Sequence, residues 1–267
     1  MSPVYDCSTE EGRVEGVAKA VEAVRAGEIV VLPTDTVYGV GADAFSAEAV
    51  ASLLAAKGRG REMPPPVLVP SVRTVDGLAT DVPAWARDLI REFWPGPLTL
   101  VFKAQSSLMW DLGETNGTVA LRMPKDDIAL AVLSDVGPMA VTSANLTGQP
   151  AATTVTAAAS QLGAAVSVYL DGGPTTSTEV STILDCTGEE YVLLRAGAIT
   201  AEQIQAVLDT EEEVSEPPEE ATDEASDTPE HPQEEASDTP EHPQDEAIEL
   251  PADPTAESPL PGDTHER

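Results

Sequence analysis

The sequence predicts an α/β domain, a single-domain mixed sheet with flanking helices over residues 1–209, followed by a disordered acidic tail over residues 210–267. Three observations predict it. Short apolar runs alternate with segments of helical period along the first 200 residues. Two apolar runs then come together near residue 190, which argues for a mixed sheet. After Leu208 the composition shifts to Pro, Glu, Asp, Ser and Thr without aromatics, a mixture that cannot bury enough apolar area to offset its ordering entropy.

The elements follow in order. Val14, Val17, Ala18, Val21 and Val24 recur at helical spacing and predict a helix over 10–26 that Gly27 closes. Ile29–Leu32 is a buried strand ended by Pro33. Ser46 caps a helix over 47–57 that stops before Gly58. A short strand at 67–69 precedes a helix over 83–93 with Pro83 in its first turn. Strands follow at 98–102 and at 119–122, the latter ended by Pro124. Helix 126–133, strand 139–142, helix 154–162 and strand 167–170 continue the alternation. Strands at 181–185 and 191–195 flank a turn at Gly188, and Thr200-x-x-Gln203 opens a last helix with a capping-box pattern.

Charge and rare residues narrow the chemistry. Acidic side chains outnumber basic ones 47 to 14 overall and 21 to 1 from Glu211 onward, which leaves 26 to 13 before that point. An acidic surface repels phosphate backbones, so the balance argues against a broad RNA-binding face and against direct tRNA binding. Cys7 and Cys186 belong to no C-x-x-C and read as free thiols of a reducing compartment. No secretory leader and no run of ~20 apolar residues is present, so the expected location is the cytoplasm, with no membrane partner. The tail carries a duplication, EASDTPEHPQE at 224–234 and EASDTPEHPQD at 235–245, whose prolines exclude a helical supercoil. All three histidines, His231, His242 and His265, lie there. Residues 1–209 therefore exclude a Ser–His–Asp triad, a Cys–His pair and a His-based zinc site, and no metal-ligand set is assigned.

Polar clusters stand just past predicted strand ends, where ligands of open α/β sheets bind. They are Pro33–Gly39, Lys57-Gly58-Arg59, Thr118–Arg122, Thr142–Asn145, and Ser181-Thr182 with Arg195. Five of the thirteen basic residues before the tail (Lys57, Arg59, Arg61, Arg122 and Arg195) lie in or beside them. Cations beside hydroxyl-rich turns suggest an anion site, although surface cations in weak salt bridges give the same spacing. No P-loop, dinucleotide fingerprint or kinase motif occurs. Asp35 reads either as a partner for an amine or metal-bound water or as a turn residue. Trp94 with Pro95-Gly96-Pro97 reads as a rigid turn, and Tyr38 as an adenine-stacking ring or as core.

In order, seven segments resemble the threonylcarbamoyl-AMP synthase family, enzymes of YrdC-like fold: PTDTVYGVG at 33–41, KGRGREMPPPVLV at 57–69, FWPGPLTLVF at 93–102, TVALRMP at 118–124, TSANLTGQPAAT at 142–153, VSTILD at 180–185 and LLRAGAI at 193–199. The resemblance implies a twisted sheet around a concave, mostly positive cavity. It implies a nucleotidyltransferase that converts ATP, L-threonine and bicarbonate to threonylcarbamoyl-AMP and pyrophosphate, with Mg2+ accompanying ATP. A separate tRNA threonylcarbamoyl transferase then takes the product. Motif by motif, it implies that Thr34, Arg122, Ser143 and Ser181 contact threonine. Arg59, Met63, Thr118, Asn145, Thr153 and Arg195 contact ATP or the adenylate. Lys57 and Arg59, the K-x-R pair, are the catalytic cations facing phosphate. The sequence departs from the family at Met63, where only backbone groups can serve, and at Leu68, where some members have His. The acidic tail stands where longer members carry a second domain.

Overall fold

The computed structural model describes residues 2–215 except 176 and 178. The duplication and the histidines of the expected tail lie outside the described residues. The elements are β1 (Val4–Asp6), α1 (Glu10–Arg25), β2 (Val30–Leu32), β3 (Gly39–Asp43), α2 (Ala47–Lys57), β4 (Val67–Leu68), α3 (Val75–Leu78), β5 (Ala79–Thr80), α4 (Ala84–Phe93), β6 (Leu98–Ala104), β7 (Thr118–Arg122), α5 (Asp127–Val136), β8 (Met139–Ser143), α6 (Val155–Leu162), β9 (Val168–Asp171), β10 (Thr182–Asp185), β11 (Val192–Arg195) and α7 (Ala201–Ser215). The last helix runs past the boundary that composition sets at residue 209.

The helix starts are built as their caps dictate. Thr9, Ser46, Asp126 and Thr154 accept from Gly12 N, Ala49 N, Ala129 N and Ala157 N, each satisfying an amide that the first turn leaves orphaned. Gly58 ends α2 at φ 62°, a left-handed position that glycine adopts without cost.

The strands form one mixed sheet in the order β1-β9-β2-β3-β8-β4-β7-β6-β10-β11, with β5 paired to β6. Strand β3 is absent from the sequence-based expectation, which read 33–39 as a loop cluster and stopped there. Glycine disfavours a strand in general, yet here both glycines are needed. A Cβ on Gly39 would lie 2.7 Å from Val141 Cγ1, and one on Gly41 2.8 Å from Val141 Cγ2. The neighbouring strand β8 has its valine where those side chains would stand. Strand β1 and the short α3 and β5 are also additions, all too brief to show a period.

Two apolar cores lie on opposite faces of this sheet. One is built from Val31, Val40, Leu100, Leu121 and Leu184 beneath Leu53 of α2, Leu89 of α4 and Leu162 of α6. The other joins Val30, Leu32, Met139 and Leu170 to Ala20, Val24, Val132 and Leu133 of the packed pair α1 and α5. Each leucine fully buried contributes about 1.5–3 kcal/mol. The second face is covered only over part of its width. Leu100 lies opposite Leu121 in the first core, so Val101 and its partner Ala120 point the other way. Along β7, Val119 and Leu121 are buried while Thr118 and Ala120 stay half-buried.

Candidate functional site

The uncovered part of the second face is the floor of a cavity of about 580 Å³, a size within the usual range for small-molecule sites. Thr99 and Val101 of β6, Thr118, Ala120 and Arg122 of β7, and Ile183 of β10 form it. Register confirms the shared face: Thr99 pairs with Ile183, Val101 with Ala120, and Leu68 with Arg122. The walls are the Thr34–Gly39 segment, Arg59 with Pro64–Pro66, Ser143, Leu112, and Ser181 with Arg195. The clusters expected beyond strand ends thus converge on a sheet face.

Arg122 is 6% exposed at the end of β7. Its Nε donates to Gly96 O at 3.0 Å and its Nη1 to Thr36 Oγ1 at 3.1 Å, while Nη2 is ion-paired to Asp35 Oδ1. Gly96 belongs to the Trp94–Pro97 turn, and Trp94 Nε1 donates to Leu98 O at 2.7 Å, so that turn acts as a rigid brace. Asp35 also accepts from Lys125 N at 3.0 Å, which makes it the holder of Arg122. Burial pulls the Arg122 pKa down, and Asp35 opposes that pull.

Arg59 donates from Nε to Met63 O at 2.7 Å, from Nη1 to Thr142 Oγ1 at 2.9 Å and from Nη2 to Pro64 O at 3.4 Å. Arg195 spends Nε and Nη2 on Ser181 O, at 2.9 and 2.7 Å, and Nη2 also on Ser181 Oγ at 2.9 Å. A guanidinium carries five N–H donors. Among the described residues Arg59 and Arg122 each make three such bonds, which leaves two donors apiece, and Arg195 keeps both on Nη1. Arg195 senses the other two charges: its pKa is lowered by burial first, then by Arg122 and Arg59. Burial also lowers that of Arg59, with Glu62 opposing.

Thr34, Arg59, Thr118, Arg122, Ser143, Ser181 and Arg195 therefore meet on one cavity. The other expected residues stand around it. Lys57 is not among the lining residues; it is 3% exposed behind the wall, where its ammonium donates to Ser143 O and, at 2.6 Å, to Asn145 O. Burial, then Arg59, holds its pKa down to about 8. Asn145 is buried, with Nδ2 on Leu146 O and Gln149 O, both at 2.8 Å, and Oδ1 without a partner among the described residues. Met63 offers its carbonyl to Arg59, as the sequence restricts it to do. Thr153 lies in the segment whose neighbour Ala152 accepts from Tyr38 N, and its own carbonyl accepts from Thr175 N. The Tyr38 ring is core: it is fully buried, and its hydroxyl donates to Gly173 O at 2.6 Å. Sequence reasoning gave no role to Thr99 or Leu112, and it carried Thr36 and Ala120 only as members of the Pro33–Gly39 and Thr118–Arg122 clusters. The signal for Thr99 and Ala120 was strand alternation, since each is two residues from another floor position.

Among the described residues no group of three or more His, Cys, Asp or Glu could hold a metal ion, and no helix is long and apolar enough to cross a membrane.

A family model, Sua5_yciO_yrdC, described as telomere recombination, matches residues 22–197. A putative threonylcarbamoyl-AMP synthase of Mycobacterium leprae is 53% identical over 208 residues, covering 78% of this chain and 94% of that protein. A threonylcarbamoyl-AMP synthase of Bacillus subtilis is 40% identical over 195 residues, covering 72% of this chain but 56% of that protein. The crystal structure of Pyrococcus abyssi Sua5 complexed with L-threonine superposes with a TM-score of 0.73 at 33% identity, covering 78% of this chain and 61% of that one.

Proposed function

The chain belongs to the Sua5_yciO_yrdC family, and on that premise we propose that it is an L-threonylcarbamoyladenylate synthase, a nucleotidyltransferase joining threonine, bicarbonate or CO2, and ATP. The threonine amine forms a carbamate with CO2, releasing a proton. A carbamate oxygen attacks the α-phosphorus of ATP, the α–β bridging P–O bond breaks, and pyrophosphate leaves with the electron pair. Neither step needs a strong enzymic base, in keeping with residues 1–209, which contain no histidine. The protein must supply alignment and charge neutralisation.

One observation carries the reading: three arginines, each with two N–H donors unspent among the described residues, converge on one cavity in a strongly acidic chain. Arg122, fixed by Asp35 and Gly96, presents its pair to the threonine carboxylate, a planar acceptor that suits a guanidinium fork. Arg59 and Arg195 present theirs to the phosphates. Thr34, Ser143 and Ser181 line the amino-acid end and Thr118 the nucleotide end. Lys57 holds the 143–145 turn, so its charge reaches the site through Ser143 and Asn145 rather than by contact. The donor set around the cavity suits anions, so Mg2+ would be held through ATP rather than by a carboxylate cage of the protein, and would supply charge neutralisation there. The adenylate passes to a separate tRNA-modifying transferase.

The test is mass-spectrometric detection of threonylcarbamoyl-AMP from purified protein with ATP, threonine and bicarbonate, with pyrophosphate released only when all three are present. Nucleotide binding without such turnover would reduce the protein to a binding module.

A further inference from the structure

We infer that Thr99 is a positioning residue that, through Ser181, fixes a hydroxyl donor toward the carboxylate or carbamate of the amino-acid substrate. This rests on the functional reading above and deepens it at one wall of the same cavity.

Thr99 is 1% exposed in the second position of β6, on the cavity floor. Its Oγ1 lies 2.8 Å from Ser181 Oγ, the one hydrogen-bond partner of that hydroxyl among the described residues. Either hydroxyl can be the donor in the free protein. Once a ligand oxygen accepts the Ser181 proton, Ser181 Oγ is the one described acceptor left for the buried Thr99 proton, so in the complex Thr99 donates to Ser181. Ser181 Oγ also receives Arg195 Nη2 at 2.9 Å, and a guanidinium only donates. In that complex both lone pairs of the Ser181 hydroxyl are filled from inside the protein, and its proton is the capacity left for the ligand.

Ser181 is 5% exposed and lines the cavity. In that arrangement it meets a ligand as a donor only. It favours an oxygen acceptor and disfavours an ammonium at that point, so it selects the carboxylate, or the carbamate once formed, over the free amine. Arg195 is tied differently. Two of its three bonds go to the Ser181 carbonyl, which does not depend on the hydroxyl. Removing the Thr99 hydroxyl frees the Ser181 hydroxyl to reorient while leaving Arg195 largely in place. The two substrates should then part company: threonine recognition suffers and ATP recognition does not.

The experiment compares Thr99→Val, nearly the same shape without the hydroxyl, with Thr99→Ser, which restores it. Steady-state adenylate formation gives KM for each substrate, and thermal melting confirms that both variants fold. Thr99→Val should raise KM for threonine about tenfold, the factor equivalent to ~1.4 kcal/mol, a hydrogen bond of ordinary net worth, and should change KM for ATP far less. Thr99→Ser should return the threonine value close to wild type. In a Ser181→Ala background, Thr99→Val should add nothing, because Thr99 acts through that hydroxyl. Equal shifts for both substrates, no rescue by serine, or additive effects with Ser181→Ala would overturn the inference and leave the enzyme reading standing. A wild-type protein that forms no adenylate and shows no heat of threonine binding would instead overturn the functional reading and the inference with it.

Discussion

Under α1 and α5, one face of the sheet is sealed by Val30, Leu32, Met139 and Leu170; a few strands along, the same face carries Thr99, Thr118, Ala120, Arg122 and Ile183 and is open as the floor of the cavity. Backbone pairing runs unbroken from one region to the other, so pleat and register are shared and only the cover differs. The alternation that gives the covered region a second core gives the open region a site. Strand β7 shows this within five residues: Val119 and Leu121 enter the core on the opposite face while Thr118, Ala120 and Arg122 face the cavity. Stability and function there are separated by the pleat of one strand.

Substitutions at five positions test that separation. The largest effect is expected where it breaks down. Arg122 faces the cavity yet is buried and paired with Asp35, so Arg122→Ala leaves a buried carboxylate uncompensated and should cost about 3–5 kcal/mol of stability as well as adenylate formation. Denaturant melts of Arg122→Ala and of the double variant with Asp35→Ala check this: the double variant should regain stability and remain inactive. Next, Leu121→Ala, one residue away on the core side, should cost ~2–5 kcal/mol of stability while the folded fraction keeps near-normal kcat and KM. A large loss of turnover in protein shown to be folded would undo the two-sided account of β7.

Arg59→Ala should do the reverse. It should remove roughly 2–4 kcal/mol of transition-state stabilisation with little change in melting temperature, and near-normal pyrophosphate release would count against its role. The smallest effect is a pH dependence at Lys57. Its pKa in the fold is about 8, against 10.5 when unperturbed. Between those values the unfolded chain binds the proton that the folded chain has lost, so stability rises with pH through the window, and the cost of burying the ammonium is fully present below it. Over the same range kcat/KM for ATP should fall above pH about 8 as the charge joining Ser143 and Asn145 disappears. Lys57→Met should show neither the rise in urea midpoint nor that limb of the rate profile.

Most elements could be read directly. The helix expected over 47–57 is Ala47–Lys57, and the one over 83–93 is Ala84–Phe93, because caps and period are local properties. Strand β3 was hidden, because its glycines answer to Val141, about a hundred residues away. Motif order likewise brought Arg59, Arg122, Ser143, Ser181 and Arg195 into one list, but spacing alone was equally compatible with scattered surface cations. Lys57 was grouped with Arg59 by the K-x-R pair; the two nevertheless leave the end of α2 in different directions, one to the carbonyls behind the wall and one to the cavity.

What the sequence determined by itself is the alternation of elements, the family signature and the lack of any histidine before the tail. These depend on residue identity and short-range geometry. Only the tertiary structure decided that β4 lies between β8 and β7, that β10 joins β6, and hence which side chains share the open face. Strand order is settled by long-range pairing and by which apolar faces find a cover. Those contacts set the direction in which each arginine points and which of its donors remain unspent.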